Sequence, residues 1–157
     1  MIELGSKVRD LVTGVTGVAS ARTEWLYGCA RIAVDSTDLK KDGKLFETMW
    51  LDEQRVEEVE KGFFPLSPAP NSEIKLGSRV KDRVTGFEGL AVARTVWVSG
   101  NITIGIEPTT LQEGKPVEAH SFEHQRVELL EEKAPPVSKQ NSAVSGGPQN
   151  DPSPRNI

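Results

Sequence analysis

The stretch Leu4-Gly5-Ser6-Lys7-Val8-Arg9-Asp10-Leu11-Val12-Thr13-Gly14 returns at a fixed offset as Leu76-Gly77-Ser78-Arg79-Val80-Lys81-Asp82-Arg83-Val84-Thr85-Gly86. The match runs on through Gly17, Ala19, Ala21, Arg22, Thr23, Trp25, Gly28 and Ile32, which recur as Gly89, Ala91, Ala93, Arg94, Thr95, Trp97, Gly100 and Ile104. From Leu4 to Ile32, 16 of 29 positions are identical, a density that marks an internal duplication. After a one-residue deletion, Gln54-Arg55-Val56-Glu57 aligns with Gln125-Arg126-Val127-Glu128.

Each copy is a unit of about 60 residues, near the lower size limit for folding without metals or disulfides. The chain therefore divides into a first repeat (1–61), a Pro-rich linker (62–73), a second repeat (74–133) and a tail (134–157). The three prolines of the linker, Pro65, Pro68 and Pro70, favour an extended connector. Phe63 and Phe64 are expected either to pack on the repeats and hold their orientation or simply to extend the last strand. The tail, rich in Ser, Gly, Asn, Gln and Pro, carries too little apolar material to offset ordering entropy and is expected to be disordered or to order on a partner.

Period-two apolar patterns place strands at Lys7 to Val12, Gly17 to Leu26, Cys29 to Val34, Phe46 to Leu51 and Arg55 to Val59. Their counterparts are Arg79 to Val84, Gly89 to Val98, Asn101 to Ile106, Val117 to Phe122 and Arg126 to Leu130. Thr-Gly pairs and Tyr27-Gly28 or Ser99-Gly100 supply the turns. The fold class is all-β, with little helix, and five short strands per copy fit a small antiparallel barrel. The spacing Gly-x-x-Val-x-Asp-x-Val-Thr-Gly-x-x-Gly resembles SH3-like barrels of the KOW and Tudor-like kind, here in tandem. The same run, with Ala21 to Cys29, also resembles a group of small uncharacterised proteins of bacteriophages and prophages. The second copy departs there, with Ser99-Gly100-Asn101 in place of Tyr27-Gly28-Cys29.

Composition bounds the chemistry. At 157 residues, 36% hydrophobic, with no apolar run near the ~20 residues of a membrane span, a soluble protein is expected. Met1 to Gly5 lacks a basic segment followed by an apolar core, so an intracellular location is expected. The net charge of −4 disfavours nucleic acid, because phosphate binding asks for a basic face. There is no Gly-rich phosphate loop, Cys-x-x-Cys or nucleophile elbow, so neither an enzyme nor a cofactor is expected. Cys29, the single cysteine, with His120 or His124 as base would make an activated thiol, but a small core residue is the simpler assignment. His120 and His124 with Glu118 or Glu123 are half a metal site, and the first copy has Met49 and Glu53 at the histidine positions. No metal is expected.

The repeated Arg22-Thr23-x-Trp25 and Arg94-Thr95-x-Trp97 are the candidate ligand-binding residues, together with Tyr27. Alternation puts Thr23 and Trp25 on one face and Arg22 on the other unless a bulge intervenes. One assignment buries the tryptophans in the core against Ala19 and Ala21 and pairs the arginines with Asp10, Asp82 or the closing glutamates. The other builds a pocket in which Trp stacks on a ring and Arg binds phosphate or carboxylate, with Thr13 and Thr85 adding donors. Such a site suits a small anionic, nucleotide-like ligand.

Duplication favours a non-enzymatic binding module, whose two linked copies, or a homo-oligomer of them, raise effective concentration for a symmetric partner. The phage resemblance implies an accessory factor in the host cytoplasm that sequesters a nucleotide-derived immune signal. A virion decoration protein binding capsid or tail subunits is the alternative. Divergence between the copies, with Glu24 become Val96 and Tyr27 become Ser99, implies unequal roles.

Overall fold

A computed structural model describes residues 1–70 and 72–133; the expectation for the 134–157 tail lies outside them. The first repeat contributes β1 (Lys7–Asp10), β2 (Thr16–Trp25), β3 (Arg31–Asp35), β4 (Met49–Asp52) and β5 (Val56–Glu60). The second contributes β6 (Arg79–Asp82), β7 (Glu88–Trp97), β8 (Ile102–Glu107), the short hairpin β9 (Leu111–Gln112) with β10 (Lys115–Pro116), then β11 (His120–Glu123) and β12 (Val127–Glu131). One 3-10 turn precedes each closing strand, Glu53–Arg55 and His124–Arg126. All pairings are antiparallel, and the described residues contain no α-helix. No helix among them is long and apolar enough to cross a membrane.

Alternation explains the strands. In β8, Ile102, Ile104 and Ile106 are buried and form the centre of one core with Ile74, Val80, Ala91 and Val127. The first repeat builds its own core from Val8, Ala19, Ile32, Val34 and Val56. Within each repeat the strands pair in the order β5-β1-β2-β3-β4 and β12-β6-β7-β8-β11. The first strands end earlier than their apolar pattern implies, at Asp10 and Asp82, because Leu11, Val12 and Val84 are turn residues and lie exposed. The fourth strands likewise begin later than expected, at Met49 and His120.

An Asp-Arg clamp sets those turns. Asp10, 2% exposed, accepts hydrogen bonds from the Thr13 hydroxyl at 2.6 Å and from Arg55 Nη2 at 2.7 Å and Nε at 3.1 Å. Asp82, fully buried, repeats this with Thr85 Oγ1 at 2.5 Å and Arg126 at 2.8 and 2.9 Å. The Arg55 guanidinium, then the Thr13 hydroxyl, hold the Asp10 carboxyl far below the usual carboxylate range, and Arg126 does the same for Asp82. Thr13 and Thr85, expected as ligand donors, spend their hydroxyls here.

The two repeats meet edge to edge. β2 pairs with β7 in the register Ala21↔Trp97, Arg22↔Val96, Thr23↔Thr95, Glu24↔Arg94 and Trp25↔Ala93. Because each partner is the other's counterpart in the duplication, the pairing has a pseudo-twofold axis through Thr23 and Thr95, whose hydroxyls bond at 2.7 Å. Ten strands thus form one continuous sheet. The 62–70 linker crosses the junction: the Phe64 N–H donates to the Gly5 carbonyl at 2.8 Å and the Ser67 N–H to the Val98 carbonyl at 3.2 Å. Phe63 and Phe64 themselves remain about half exposed, so it is the linker backbone that docks.

Candidate functional site

The repeated Arg-Thr-x-Trp motif is the strand that joins the repeats, and its alternation splits it between two faces. Arg22, Glu24, Arg94 and Val96 face one way; Ala21, Thr23, Trp25, Ala93, Thr95 and Trp97 face the other. A bulge in β2 lies upstream, between Ala19 and Ala21, and leaves the alternation within the motif intact.

On the arginine face lies a cavity of about 670 Å³, walled by Met1, Ile2, Leu4, Leu66, Val96 and Trp97 and reached by Arg22, Glu24 and Arg94. The two arginines, equivalent in sequence, are not equivalent here. Arg22 donates to Glu53 through Nη2 at 2.9 Å and Nε at 3.2 Å, and also contacts Glu24. The Glu53 hydrogen bond, opposed by burial, raises the Arg22 pKa further above its ordinary value. Burial pushes the Glu53 carboxyl up, but Arg22 and the Ile2 N–H, which donates at 2.8 Å, outweigh it and leave the pKa lowered. Arg22, offered by the sequence as a ligand donor, thus lines the cavity with its guanidinium engaged by two carboxylates of its own repeat.

Arg94 has lost both partners. At the positions of Glu24 and Glu53 the second repeat carries Val96 and His124. Among the described residues Arg94 makes no ion pair, and its Nε is buried without a hydrogen-bond partner. The indole Nε1 of Trp97 is also buried and unpartnered. The buried, unpaired Arg94 Nε in this cavity is an unmet demand for an acceptor, since buried polar groups are ordinarily paired.

The other face holds an open groove of about 410 Å³ lined by Thr23, Trp25, Arg31, Trp50, Ala93, Thr95, Trp97, Thr103 and Ser121. All three tryptophans of the chain are here, so the assignment of Trp25 to the core is corrected: it is 44% exposed. Thr23 and Thr95 are bonded to each other at the groove floor. Tyr27, 82% exposed in the β2–β3 turn, lines neither cavity. Trp50, which the sequence reading did not single out, belongs to the groove. Its signal was the alternation of β4 against the small Ala33.

Cys29 is exposed, which corrects its assignment as a core residue. His120 stands edge-on to Phe87 with ring centroids 5.4 Å apart, while His124 lies in the 3-10 turn with a buried, unpartnered Nδ1. Among the described residues no group of three or more His, Cys, Asp or Glu is placed to hold a metal ion. No protein-family model, curated protein or solved structure matches the chain.

Proposed function

We propose that the chain is a tandem of two SH3-like barrels acting as a non-enzymatic binding protein of bacteriophage type, which sequesters a small anionic, nucleotide-like ligand in the Arg94 cavity. Two four-strand meanders, each with a 3-10 turn before a closing strand that returns to pair with the first, support the barrel reading. The observation that carries the ligand reading is the guanidinium of Arg94, without an ion-pair partner among the described residues and with its Nε buried and unpaired, in an apolar-walled cavity. A guanidinium offers paired donors to a phosphate or carboxylate, and the apolar wall takes the ring or ribose face. Glu3 and Glu24 also line the cavity, with Glu24 directly across the ladder from Arg94 and engaged by Arg22.

Native mass spectrometry with a panel of cyclic dinucleotides and cyclic ADP-ribose isomers tests the reading. One ligand of the panel adds a discrete mass per chain, and Arg94→Ala weakens it about tenfold or more, the worth of a charge-assisted hydrogen bond. His124→Glu gives Arg94 the carboxylate that Arg22 has and abolishes binding while the fold persists. No mass increment from any member, or equal affinity in Arg94→Ala and Arg22→Ala, overturns the proposal and leaves virion decoration as the better account.

A further inference from the structure

The tryptophan groove is symmetric in backbone but not in side chains, and the difference has the shape of a ring. Three rows of residues cross the sheet on this face. In the first, Trp97, Ala21, Ala33 and Trp50 stand side by side on β7, β2, β3 and β4. The two alanines leave room for the indoles to lean over them and meet edge to face, with centroids 6.1 Å apart at 87°. The middle row is Arg31, Thr23, Thr95 and Thr103. The third row repeats the first through the pseudo-twofold axis as Trp25, Ala93, Gly105 and Ser121 on β2, β7, β8 and β11.

Ser121 occupies the place of Trp50, so Trp25 has no ring to meet. The floor beneath is as low as in the first half: Ala93 faces Gly105, and a Cβ added to Gly105 would come within 3.0 Å of the Ala93 Cβ. Trp25 is left 44% exposed above it, a cost in apolar area that the paired Trp97 and Trp50, both part-buried, avoid. The groove offers hydroxyls from Thr103 and Ser121 and no unengaged charge, because Arg31 donates to the Trp50 carbonyl at 2.6 Å and lies 3.5 Å from Asp52.

The geometry points to a second binding site, for a neutral planar bicyclic heteroaromatic ring of a small molecule, seated over Ala93 and Gly105 edge to face with Trp25 where the counterpart of Trp50 is missing. The Trp50–Trp97 pair in the same molecule is the template for that contact. The ring's polar edge meets the Ser121 and Thr103 hydroxyls. This site lies on the opposite face from Arg94 and is independent of the anion reading.

Because all three tryptophans line the groove, intrinsic fluorescence reads it directly. Indole-free probes keep that signal clean: adenosine and benzimidazole, titrated to millimolar concentration against the full chain, with calorimetry for affinity and stoichiometry. Expected is a saturable change with one ring bound per chain for at least one probe, unaltered in Arg94→Ala. Ser121→Trp supplies the missing ring from within and is expected to melt at a higher temperature than the parent and to lose the response. Trp25→Leu keeps the groove apolar but removes the edge-to-face contact, weakening binding about tenfold. No saturable response from either probe, undiminished binding in folded Ser121→Trp or Trp25→Leu, or a dimer of the parent chain that Ser121→Trp dissociates, overturns the inference; the last would make the groove a contact between copies.

Discussion

At the scale of single residues, the duplication separates what each copy needs to fold from what only one of them has been relieved of. The Asp-Thr-Arg clamp is kept in both, and its energetics carry a sign in pH. A carboxyl whose folded pKa is depressed stabilises fully above its unfolded value and loses that contribution as pH falls through the folded one. Asp10 and Asp82 are both depressed, their arginine partners being the largest cause. Stability is therefore expected to be flat near neutrality and to decline progressively below about pH 4, the ordinary aspartate value. Chemical denaturation across pH 2 to 6 measures this, and the acid decline is shallower in Asp10→Asn and Asp82→Asn, each less stable than the parent at pH 7. The Thr23–Thr95 hydroxyl pair behaves differently. Thr23→Val strands the Thr95 hydroxyl and costs about 1 kcal/mol, whereas Thr23→Val with Thr95→Val removes both partners and is nearly neutral. A double-mutant cycle by urea denaturation returns that coupling.

At the scale of elements, the long strands β2 and β7 each pair with three neighbours, and small residues make the crossing possible. The Cβ of an alanine at Gly17 would stand 2.4 Å from the Asp35 carbonyl oxygen, and at Gly89 only 2.1 Å from that of Glu107. Both obstacles are backbone, so Gly17→Ala and Gly89→Ala are expected to destabilise by roughly 1–3 kcal/mol, the usual overpacking range, or more. Thermal melts rank them, with Gly14→Ala as a comparison where the added Cβ meets nothing but φ is +75°. At the linker the requirement is conformational as well: Gly5 and Gly100 adopt φ of +83°, and a Cβ there would meet the Phe64 and Pro68 carbonyl oxygens at 2.3 and 2.7 Å. These glycines let the connector lie against one repeat and then the other. Much of this scale is legible in the sequence, because period-two burial in β8 and the Thr-Gly turns are local properties. The strand ends are less so: Leu11 and Val12 read as strand by composition, yet the Asp10 clamp turns the chain first.

At the scale of the whole molecule, the two repeats complete one another's sheets. Residues 1–61 alone would expose the edge of β2 from Ala21 to Trp25, a ready template for another strand. That fragment is expected to dimerise through β2 in the same twofold register, since the duplicated residues already fit it. Sedimentation velocity reads the dimer, and Thr23→Pro, which removes a ladder donor, reduces it.

Sequence alone determined that the chain is duplicated and all-β, because turn chemistry, alternation and repetition act over a few residues; that Asp10 and Asp82 are clamped by Arg55 and Arg126 rather than by Arg22 and Arg94 came from the tertiary structure. The sequence also held the asymmetry of the candidate site in plain sight: Val96 and His124 in place of Glu24 and Glu53, and Ser121 in place of Trp50. Only the tertiary structure decided what those differences mean. The pairing of β2 with β7 is a contact between strands far apart in the chain, and no local pattern announces which edges meet. That pairing sets Arg94 and Trp25 on opposite faces of one continuous sheet and turns one expected pocket into two.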